Sequence, residues 1–210
     1  MIQTKIHGDS LTEKQQIFQS EDRGSNPTSP YHFLIEKGKF ADFSRLLELY
    51  HYKGKKIGGS ISHHLILKYK DRVYGGCVIG TMRHKKNYKE EAVELRRMVL
   101  SPDCPKNTAS YFLSKIIWWL KKNTSITCVY TFADTTVGHE GTCYKASNFE
   151  FVRTNPPSTY VLWKNQRYHP RSLTIDRPYS YELRKAVKDG SAKVLKGKEK
   201  ILYKYEIKRK

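Results

Sequence analysis

The sequence lacks long apolar runs and contains few cysteines. No segment of its 210 residues approaches the roughly 20 consecutive apolar residues that a membrane-spanning helix needs. The first ten residues are polar and show no apolar core of a secretory signal. The four cysteines form no C-x-x-C pair and have no zinc-finger spacing, so we expect reduced thiols. These absences predict a cytoplasmic protein that does not use a membrane.

Acidic residues are also scarce. Asp and Glu number 20 against 39 Lys and Arg, which gives a formal net charge of +19. This excess argues against a charge-balanced metabolic enzyme and favours a polyanionic partner, because Lys and Arg gain affinity for phosphates by releasing counterions. Full disorder is excluded, since 38% of the residues are hydrophobic and lie in periodic segments.

Hydrophobic periodicity predicts alternating helices and strands around one mixed sheet. The predicted helices are Asp42–Tyr50, a long one that begins near Asn107, and a short one over His139–Ser147; the predicted strands are His64–Tyr69, Val73–Gly80, Ala92–Leu100, Ile126–Ala133, Phe149–Val152 and Thr159–Lys164. This order is that of the acetyltransferase-like (GNAT) fold, so we expect an α/β protein with a central mixed sheet flanked by helices. We expect a weakly ordered segment over 1–30, a GNAT-like domain over 31–183, and a basic C-terminal strand or tail over 184–210 that packs on or extends it.

The segment from Ala133 to Phe149 carries the most unusual chemistry. Asp134 follows an apolar strand, where ligands collect in open α/β sheets. His139 lies between two glycines that permit close approach of a ligand. Tyr144 and Asn148 are four residues apart and would share one face of a helix. The carboxylate and the imidazole are acid–base groups, the phenol is a hydrogen-bond donor, and the Asn148 amide can bind an adenine edge. Together these groups could catalyse a reaction on adenine. Alternatively, these residues only shape a loop, cap a helix and pack in the core.

Two further places hold candidate ligand-binding residues. His51 and Tyr52 end a helix, either as an edge of the core or beside a mobile lid formed by the glycine-rich Lys55–Ser60. Arg96 and Arg97 are adjacent in a strand, so one of them faces the core and needs an anionic partner. In that strand Val93, Leu95, Arg97 and Val99 are predicted to project to one side. The partner is Asp134 or a ligand phosphate, or else Glu94 in a structural ion pair.

The C-terminal segment is strongly basic. In it Ile201, Tyr203, Tyr205 and Ile207 alternate with Lys200, Lys204 and Lys208, a pattern that predicts an edge strand with one wet, basic face. Such a strand is suited to lie along a phosphate backbone, and Arg167, His169 and Arg171 would extend the same surface. A solvated tail is the alternative.

Several motifs together resemble the Mom family of phage DNA modification proteins. The main one reads A-D-x-x-x-G-H-x-G-x-x-Y-x-A-x-N over 133–148. Further segments resemble that family and occur in the same order: Leu49–Tyr52, Leu95–Leu100, Asn107–Ser110, Ser114, Tyr168–Ser172 and Lys200–Tyr205. The resemblance covers about residues 45 to 207.

The resemblance implies a GNAT-like enzyme that converts adenine in double-stranded DNA to an N6-carbamoylmethyl form and so protects it from restriction, in the host cytoplasm if a phage encodes it. The catalytic residues it implies are Asp134, His139, Tyr144 and His51. The implied substrate- and donor-binding residues are Tyr52, Arg96, Arg97, Ser110, Ser114 and Asn148. We expect DNA contacts from Arg167, Arg171, Lys200, Lys204 and Lys208. The oligomeric state does not follow from the sequence.

The donor of the transferred group is not identified by the sequence. Acyl-CoA enzymes hold pyrophosphate on a glycine-rich loop, but the corresponding segment, Pro102–Ser110, contains no glycine, which argues against acetyl-CoA. His51, Asp134 and Tyr144 suit iron by ligand type, although no compact ligand spacing supports a metal. Two other functions stay open: a non-catalytic basic protein that coats nucleic acid, and an acyltransferase that acts on protein or RNA.

Overall fold

The computed structural model describes residues 32–55, 57–82 and 91–209. The predicted lead-in over 1–30 and the basic segment Arg83–Lys86 lie outside these residues. The described part contains ten strands: β1 (Leu34–Lys37), β2 (Ile61–Tyr69), β3 (Arg72–Thr81), β4 (Ala92–Leu100), β5 (Cys128–Asp134), β6 (Glu150–Asn155), β7 (Thr159–Trp163), β8 (Gln166–Tyr168), β9 (Lys193–Lys196) and β10 (Lys200–Glu206). It also contains four α-helices: α1 (Phe40–Tyr50), α2 (Thr108–Asn123), α3 (Thr142–Ala146) and α4 (Pro178–Lys188). None of the described helices has the length and apolar character of a membrane span.

Seven strands form the main sheet in the order β1-β2-β3-β4-β5-β10-β6. Strands β1 to β4 pair antiparallel in sequence, and β4 pairs parallel with β5 after the crossover through α2. The amphipathic helix α1 buries Phe43 and Leu47 against Ile66, Val78 and Val99 of this sheet. The predicted α/β fold with a mixed sheet and flanking helices is confirmed.

The described chain divides into two compact units. The first contains the residues up to Thr131 together with 143–150 and 204–209. The second contains 132–142 and 151–203. Strands β5 and β10 each contribute residues to both units.

Strand β4 contains a β-bulge. Val78 of β3 pairs with Arg97, whereas the next residue, Ile79, pairs with Leu95. Arg96 is therefore an extra residue in β4 that has no partner position on β3. Directly opposed residues share a face of a sheet, and consecutive residues of a regular strand face opposite sides. Arg97 thus lies on the face of Val78, and Leu95 lies on the other.

The bulge overturns one expectation about β4. Val99 packs with Phe43 and Val78 beneath α1, on the face that Arg97 shares. Leu95 lies on the opposite face, so the prediction that alternate residues from Val93 to Val99 project to one side is wrong. The alternation argument fails because the inserted residue shifts the side-chain pattern by one position.

The sequence had suggested that the basic C-terminal strand lies at an edge of the sheet. This prediction is wrong. Strand β10 lies between β5 and β6 in the sheet order. Leu202, which stands between the two lysines of the predicted wet face, is only 1% exposed, and Tyr203 is equally buried. An alternating pattern cannot distinguish an inner strand from an edge strand, because both have two differing faces. Removing this strand would therefore take buried side chains out of the core.

Arg209 ties the chain end to helix α2. Its guanidinium donates hydrogen bonds to the carbonyl oxygens of Lys121 (2.9 Å), Thr124 and Ile126 (2.9 Å). The last carbonyls of a helix have no partner within the helix, and they carry the negative end of its dipole. A basic residue of the presumed tail is thus a C-terminal cap.

A second, three-stranded sheet has the order β8-β7-β9. Helix α4 covers it and buries Leu183 and Ala186 with Val161 and Ala192. Helix α4 was not predicted from the sequence, because its few apolar residues stand among charged ones in a basic segment. The short strands β1, β8 and β9 were not predicted either.

Candidate active site

Asp134 lies at the carboxyl end of β5, where the apolar strand stops. Its side chain is buried, and only 4% of the residue is exposed. One carboxylate oxygen, Oδ1, accepts a hydrogen bond from the Thr136 amide at 3.2 Å. The other, Oδ2, lies 3.9 Å from the Lys200 ammonium. The carboxylate therefore has both a backbone donor and a cation beside it.

The turn after Asp134 is shaped by its two glycines. The 3₁₀ turn Thr135–Val137 ends at Gly138, which has a positive φ of 76°. Gly141 also has a positive φ, and a Cβ there would lie 2.3 Å from the Tyr203 ring. The Tyr203 hydroxyl donates to the carbonyl oxygen of Glu140 at 2.8 Å. These glycines thus serve the path of the chain past a buried aromatic ring.

His139 follows this turn with its side chain at the surface. Its amide donates to the carbonyl oxygen of Asp134 at 3.3 Å, so the backbone of the two residues is linked. The turn therefore holds an exposed imidazole close in the chain to a buried carboxylate, both in the second unit.

Lys200 is placed beside Asp134 by the segment that precedes β10. The amide and hydroxyl of Thr135 both donate to the carbonyl oxygen of Glu199, the hydroxyl at 2.7 Å. The Lys198 amide donates to the Thr136 hydroxyl at 2.9 Å. The turn after β5 is thus joined to the two residues that directly precede Lys200. Sequence reasoning assigned this lysine to DNA and had no signal for the contact, because the partners are 66 positions apart.

Tyr144 lies in the short helix α3 of the first unit. Burial raises the pKa of its phenol to about 12, although a hydrogen bond with Thr131 acts in the opposite direction. The ring packs against Phe149 with centroids 5.7 Å apart. Its phenol stays protonated at physiological pH, so it can donate a hydrogen bond.

Asn148 does not share a helix face with Tyr144. Helix α3 ends at Ala146, and Asn148 adopts the left-handed conformation with φ 61°. The Asn148 amide donates to Lys145, and the Phe149 amide donates to Tyr144. These two bonds form a Schellman motif, with the Tyr144–Phe149 contact that commonly accompanies it. The expectation of a shared face is wrong, because Asn occupies the position that stops the helix.

His51 and Tyr52 follow α1 directly. Their rings are stacked, with centroids 4.9 Å apart and planes at 18°. Nδ1 of His51 accepts a hydrogen bond from the Lys53 amide at 3.2 Å, and the Lys53 ammonium lies 4.9 Å from the centre of the Tyr52 ring. When the imidazole is neutral, its proton is therefore on Nε2.

Arg96, the bulge residue, has a structural role. Its guanidinium donates to the carbonyl oxygens of Gly58 (2.7 Å) and Thr81 (2.6 Å), and its Nε lies 3.7 Å from Glu94. It thus anchors the glycine-rich segment that the sequence suggested as a lid, and it forms the ion pair that was the structural alternative. Gly80 stands two residues from Val78 in β3, and a Cβ at Gly80 would meet the Arg96 guanidinium, so Arg96 lies on the same face as Arg97. The expectation that the two arginines face opposite sides is wrong, because the bulge interrupts the alternation. One guanidinium nitrogen of Arg97 donates to the carbonyl oxygen of Arg96.

Ser110 and Ser114 lie in α2. Each hydroxyl donates to the carbonyl oxygen three residues earlier, Asn107 and Tyr111 respectively. Neither hydroxyl is thereby prevented from accepting a hydrogen bond from a ligand.

The first turn of α2 begins without a side-chain cap. Asn107 takes the left-handed conformation, φ 67°, and provides no side-chain cap. In the described part of the chain, the amides of Ala109 and Ser110 have no hydrogen-bond acceptor. Free amides at a helix start favour an anion. The absence of glycine in this loop does not prevent such binding, because Asn107 adopts the conformation that glycine commonly supplies.

The basic residues assigned to DNA differ in their surroundings. Arg167, Arg171 and Lys208 are exposed. Lys204 is only partly exposed and forms an ion pair with Glu206 at 2.8 Å. With Lys200 next to Asp134, two of the five predicted contacts are thus already engaged within the protein.

The candidates are distributed over both units. Asp134, His139 and Lys200 belong to the second, and the other predicted catalytic and donor-binding residues belong to the first. Among the described residues, no group of three or more His, Cys, Asp or Glu side chains could hold a metal ion.

Comparison with known proteins identifies the family. The model of the Mom protein family matches residues 32–210. The chain belongs to the Mom protein family. A curated relative, the methylcarbamoylase mom of Escherichia phage Mu, is 38% identical over 80 residues, which are 37% of this chain and 32% of the relative. The match thus spans about a third of that Mom protein.

Solved structures confirm the fold of this Mom-family chain. The ribosomal-protein-S18-alanine N-acetyltransferase from Escherichia coli has a TM-score of 0.52 at 9% identity, over 85% of this chain and 96% of that one. The ribosomal-protein-S5-alanine acetyltransferase from Vibrio fischeri has the same TM-score and identity, over 84% and 93%. At such identities the likeness shows the GNAT-like fold.

Proposed function

We propose that this protein is a transferase that converts adenine in double-stranded DNA to an N6-carbamoylmethyl or related N6-acyl form, and that this change protects the DNA from restriction. The observation that carries the proposal is the Mom family match over 32–210, within which the segment from Asp134 to Asn148 holds a buried carboxylate at the end of a sheet strand. The printed activity of the phage Mu relative, a methylcarbamoylase, supports the reaction type.

The chemistry of adenine N6 defines what the protein has to supply. In a duplex N6 is paired and stacked, so the base has to be flipped out, and an aromatic ring such as Tyr52 can stack on it. The N6 lone pair is delocalised into the ring, which makes the amine a poor nucleophile. As N6 bonds to the donor carbon, it loses a proton that needs an acceptor.

Asp134 is the proposed proton acceptor. Its carboxylate is buried, which removes competing water, and the Thr136 amide fixes its orientation at 3.2 Å. Lys200, 3.9 Å away, favours the ionised form that can accept a proton. His139 is its proposed partner, which passes the proton to solvent from its exposed position.

Tyr144 is the proposed hydrogen-bond donor. A phenol whose pKa is raised to about 12 is neutral at physiological pH and can donate to developing negative charge. His51 is carried as a further catalytic candidate, because Nδ1 accepts a backbone hydrogen bond, which places the proton of the neutral imidazole on Nε2 as a donor.

The remaining candidates would bind the donor. Arg97 replaces Arg96 as the preferred arginine, because Arg96 is engaged by two carbonyl oxygens and Glu94. Ser110 and Ser114 follow the free amides at the start of α2, where phosphates of an acyl-CoA would bind. Such a donor would account for the N6-acyl form alone: N6 would bond to the thioester carbonyl carbon, the C–S bond would break, and CoA would leave as its thiol. The N6-carbamoylmethyl form has a CH2 group on N6 and needs a donor with an activated methylene carbon. Asn148 is kept only for its exposed amide.

A second function is an acyltransferase that acts on protein or RNA, which the GNAT-like fold favours. One experiment separates the two. The full chain is expressed, host DNA and RNA are digested to nucleosides, and masses are compared with an empty-vector control and with Asp134→Asn. Modified deoxyadenosine with the parent chain alone supports the proposal. Unchanged deoxynucleosides from cells that contain soluble protein would refute it.

A further inference from the structure

Helix α4 exposes a stripe of one aromatic and two basic side chains. Tyr181, Lys185 and Lys188 stand at positions i, i+4 and i+7, so they share one helix face. Tyr181 is 64% exposed, more than any other large apolar side chain in the described chain. The opposite face buries Leu183 and Ala186. The stripe therefore faces solvent.

The two lysines of the stripe are not neutralised by ion pairs. Within the described residues neither Lys185 nor Lys188 has an acidic partner within 4 Å. The pKa of Asp189 is lowered mainly by its hydrogen bonds with Ser191, and the charge of Lys185 adds a smaller effect in the same direction. By contrast, Arg45 and Lys55 beside helix α1 both contact Glu48. The lysines of α4 thus keep their charge available for an external anion.

Helix α4 is fixed on a rigid base. Its inner face packs on β7 and on Ala192 in a common core cluster. The Arg184 guanidinium donates to the carbonyl oxygens of Leu173 and Ile175, both at 3.3 Å, and so ties the preceding loop to the helix. The stripe is therefore held in place, which reduces the entropy lost when it binds a partner.

We propose that the stripe Tyr181–Lys185–Lys188 binds the phosphate backbone of duplex DNA. This inference rests on the proposed function. Seven helical residues span about 10 Å, which is long enough for the two lysines to contact neighbouring phosphates of one strand. Lysine ammonium groups and a tyrosine hydroxyl are both common phosphate donors. Glu182 flanks the stripe and limits the contact to its other side.

The test compares two matched pairs of lysines in the full chain. K185A/K188A removes the stripe's charges, and K121A/K122A removes two lysines from the last turn of α2, so both variants lose the same net charge. Affinity for a labelled duplex is measured by fluorescence anisotropy over a range of salt concentrations. Each phosphate contact contributes about 0.9 to the log–log slope, so K185A/K188A should flatten it by about 1.8 and K121A/K122A should leave it near the parental value. Y181F should weaken binding at constant slope.

Equal flattening by both pairs would overturn the proposal in favour of diffuse charge, and so would an unchanged slope for K185A/K188A. Melting temperatures confirm folding, with K185Q/K188Q as the substitute if the alanine pair melts early. If the parent modifies DNA and only the slope result fails, the stripe is wrong and the proposed function stands. If the parent neither binds nor modifies duplex DNA, both fail. Loss of modification in cells but not on purified DNA would overturn the stripe's role and point to an acidic protein partner.

Discussion

Replacement of Asp134 by asparagine tests the proposed proton acceptor with little disturbance of the fold. The asparagine carbonyl can still accept the hydrogen bond that Thr136 donates at 3.2 Å. What is lost is the negative charge 3.9 Å from the Lys200 ammonium, together with the basicity of the carboxylate. Lys200 is about 30% exposed, so the ion pair contributes at most about 1 kcal/mol to stability. For a chain of this size that corresponds to a melting temperature about 2 to 4 °C lower.

The expected effect on catalysis is much larger than this effect on stability. General acid–base catalysis typically contributes 10²- to 10⁴-fold, so Asp134→Asn should lower the yield of modified deoxyadenosine by at least about 100-fold. Duplex affinity should stay constant or rise slightly, because one negative charge is removed. The matched control is Asp176→Asn, which removes an exposed carboxylate and should leave all three quantities unchanged.

The assay measures nucleoside yield, duplex affinity and melting temperature on the same preparations. An Asp134→Asn protein that melts normally and modifies DNA at the parental rate would remove Asp134 from the mechanism. A loss of activity that follows the melting temperature, and that Asp134→Ala deepens in the same proportion, would assign the residue to shaping the turn.

Three further predictions concern Tyr144, Arg209 and the two glycines that follow Asp134. Tyr144→Phe should remove the hydrogen bonding of the phenol but keep the ring. Because the pKa of Tyr144 is raised from 10 to about 12 in the folded protein, the parent should lose stability relative to this variant as the pH rises from about 10 to 12. Denaturant titrations at several pH values will detect this loss. Arg209→Ala should lower the unfolding free energy by about 1 to 3 kcal/mol, because three carbonyl oxygens lose their donor, whereas Lys208→Ala, an exposed neighbour, should cost little; equal melting curves would contradict the cap. Gly138→Ala should lower the free energy of unfolding by about 1 to 2 kcal/mol, because alanine disfavours a positive φ. Gly141→Ala should lower it by about 1 to 3 kcal/mol more, because the added Cβ also meets the Tyr203 ring. Thermal unfolding of the two variants measures this difference.

The sequence by itself determined most strands of the main sheet, helices α1 and α2, and the family motif. Regular hydrophobic periodicity is local information, so α1, β2 to β5 and α2 were predicted close to their observed bounds. Asp134 was placed correctly at the end of a buried strand, because an apolar run followed by a polar turn marks that position. The family resemblance also depends only on the order of residues along the chain.

Only the tertiary structure decided which side of the sheet each arginine of β4 faces. The bulge at Arg96 results from pairing with β3, and no residue in β4 signals it. Likewise, Asn148 fits a helical spacing from Tyr144, yet the chain stops the helix there with a left-handed residue. Local spacing does not reveal where a five-residue helix ends.

Long-range pairing decided the role of the basic C-terminus. The insertion of β10 between β5 and β6, the contact between Lys200 and Asp134, and the cap that Arg209 forms on α2 all join residues more than 40 positions apart. A charge run looks the same in sequence whether it is solvated or paired. The difference depends on which carboxylates and carbonyl oxygens the fold brings within reach of each cation.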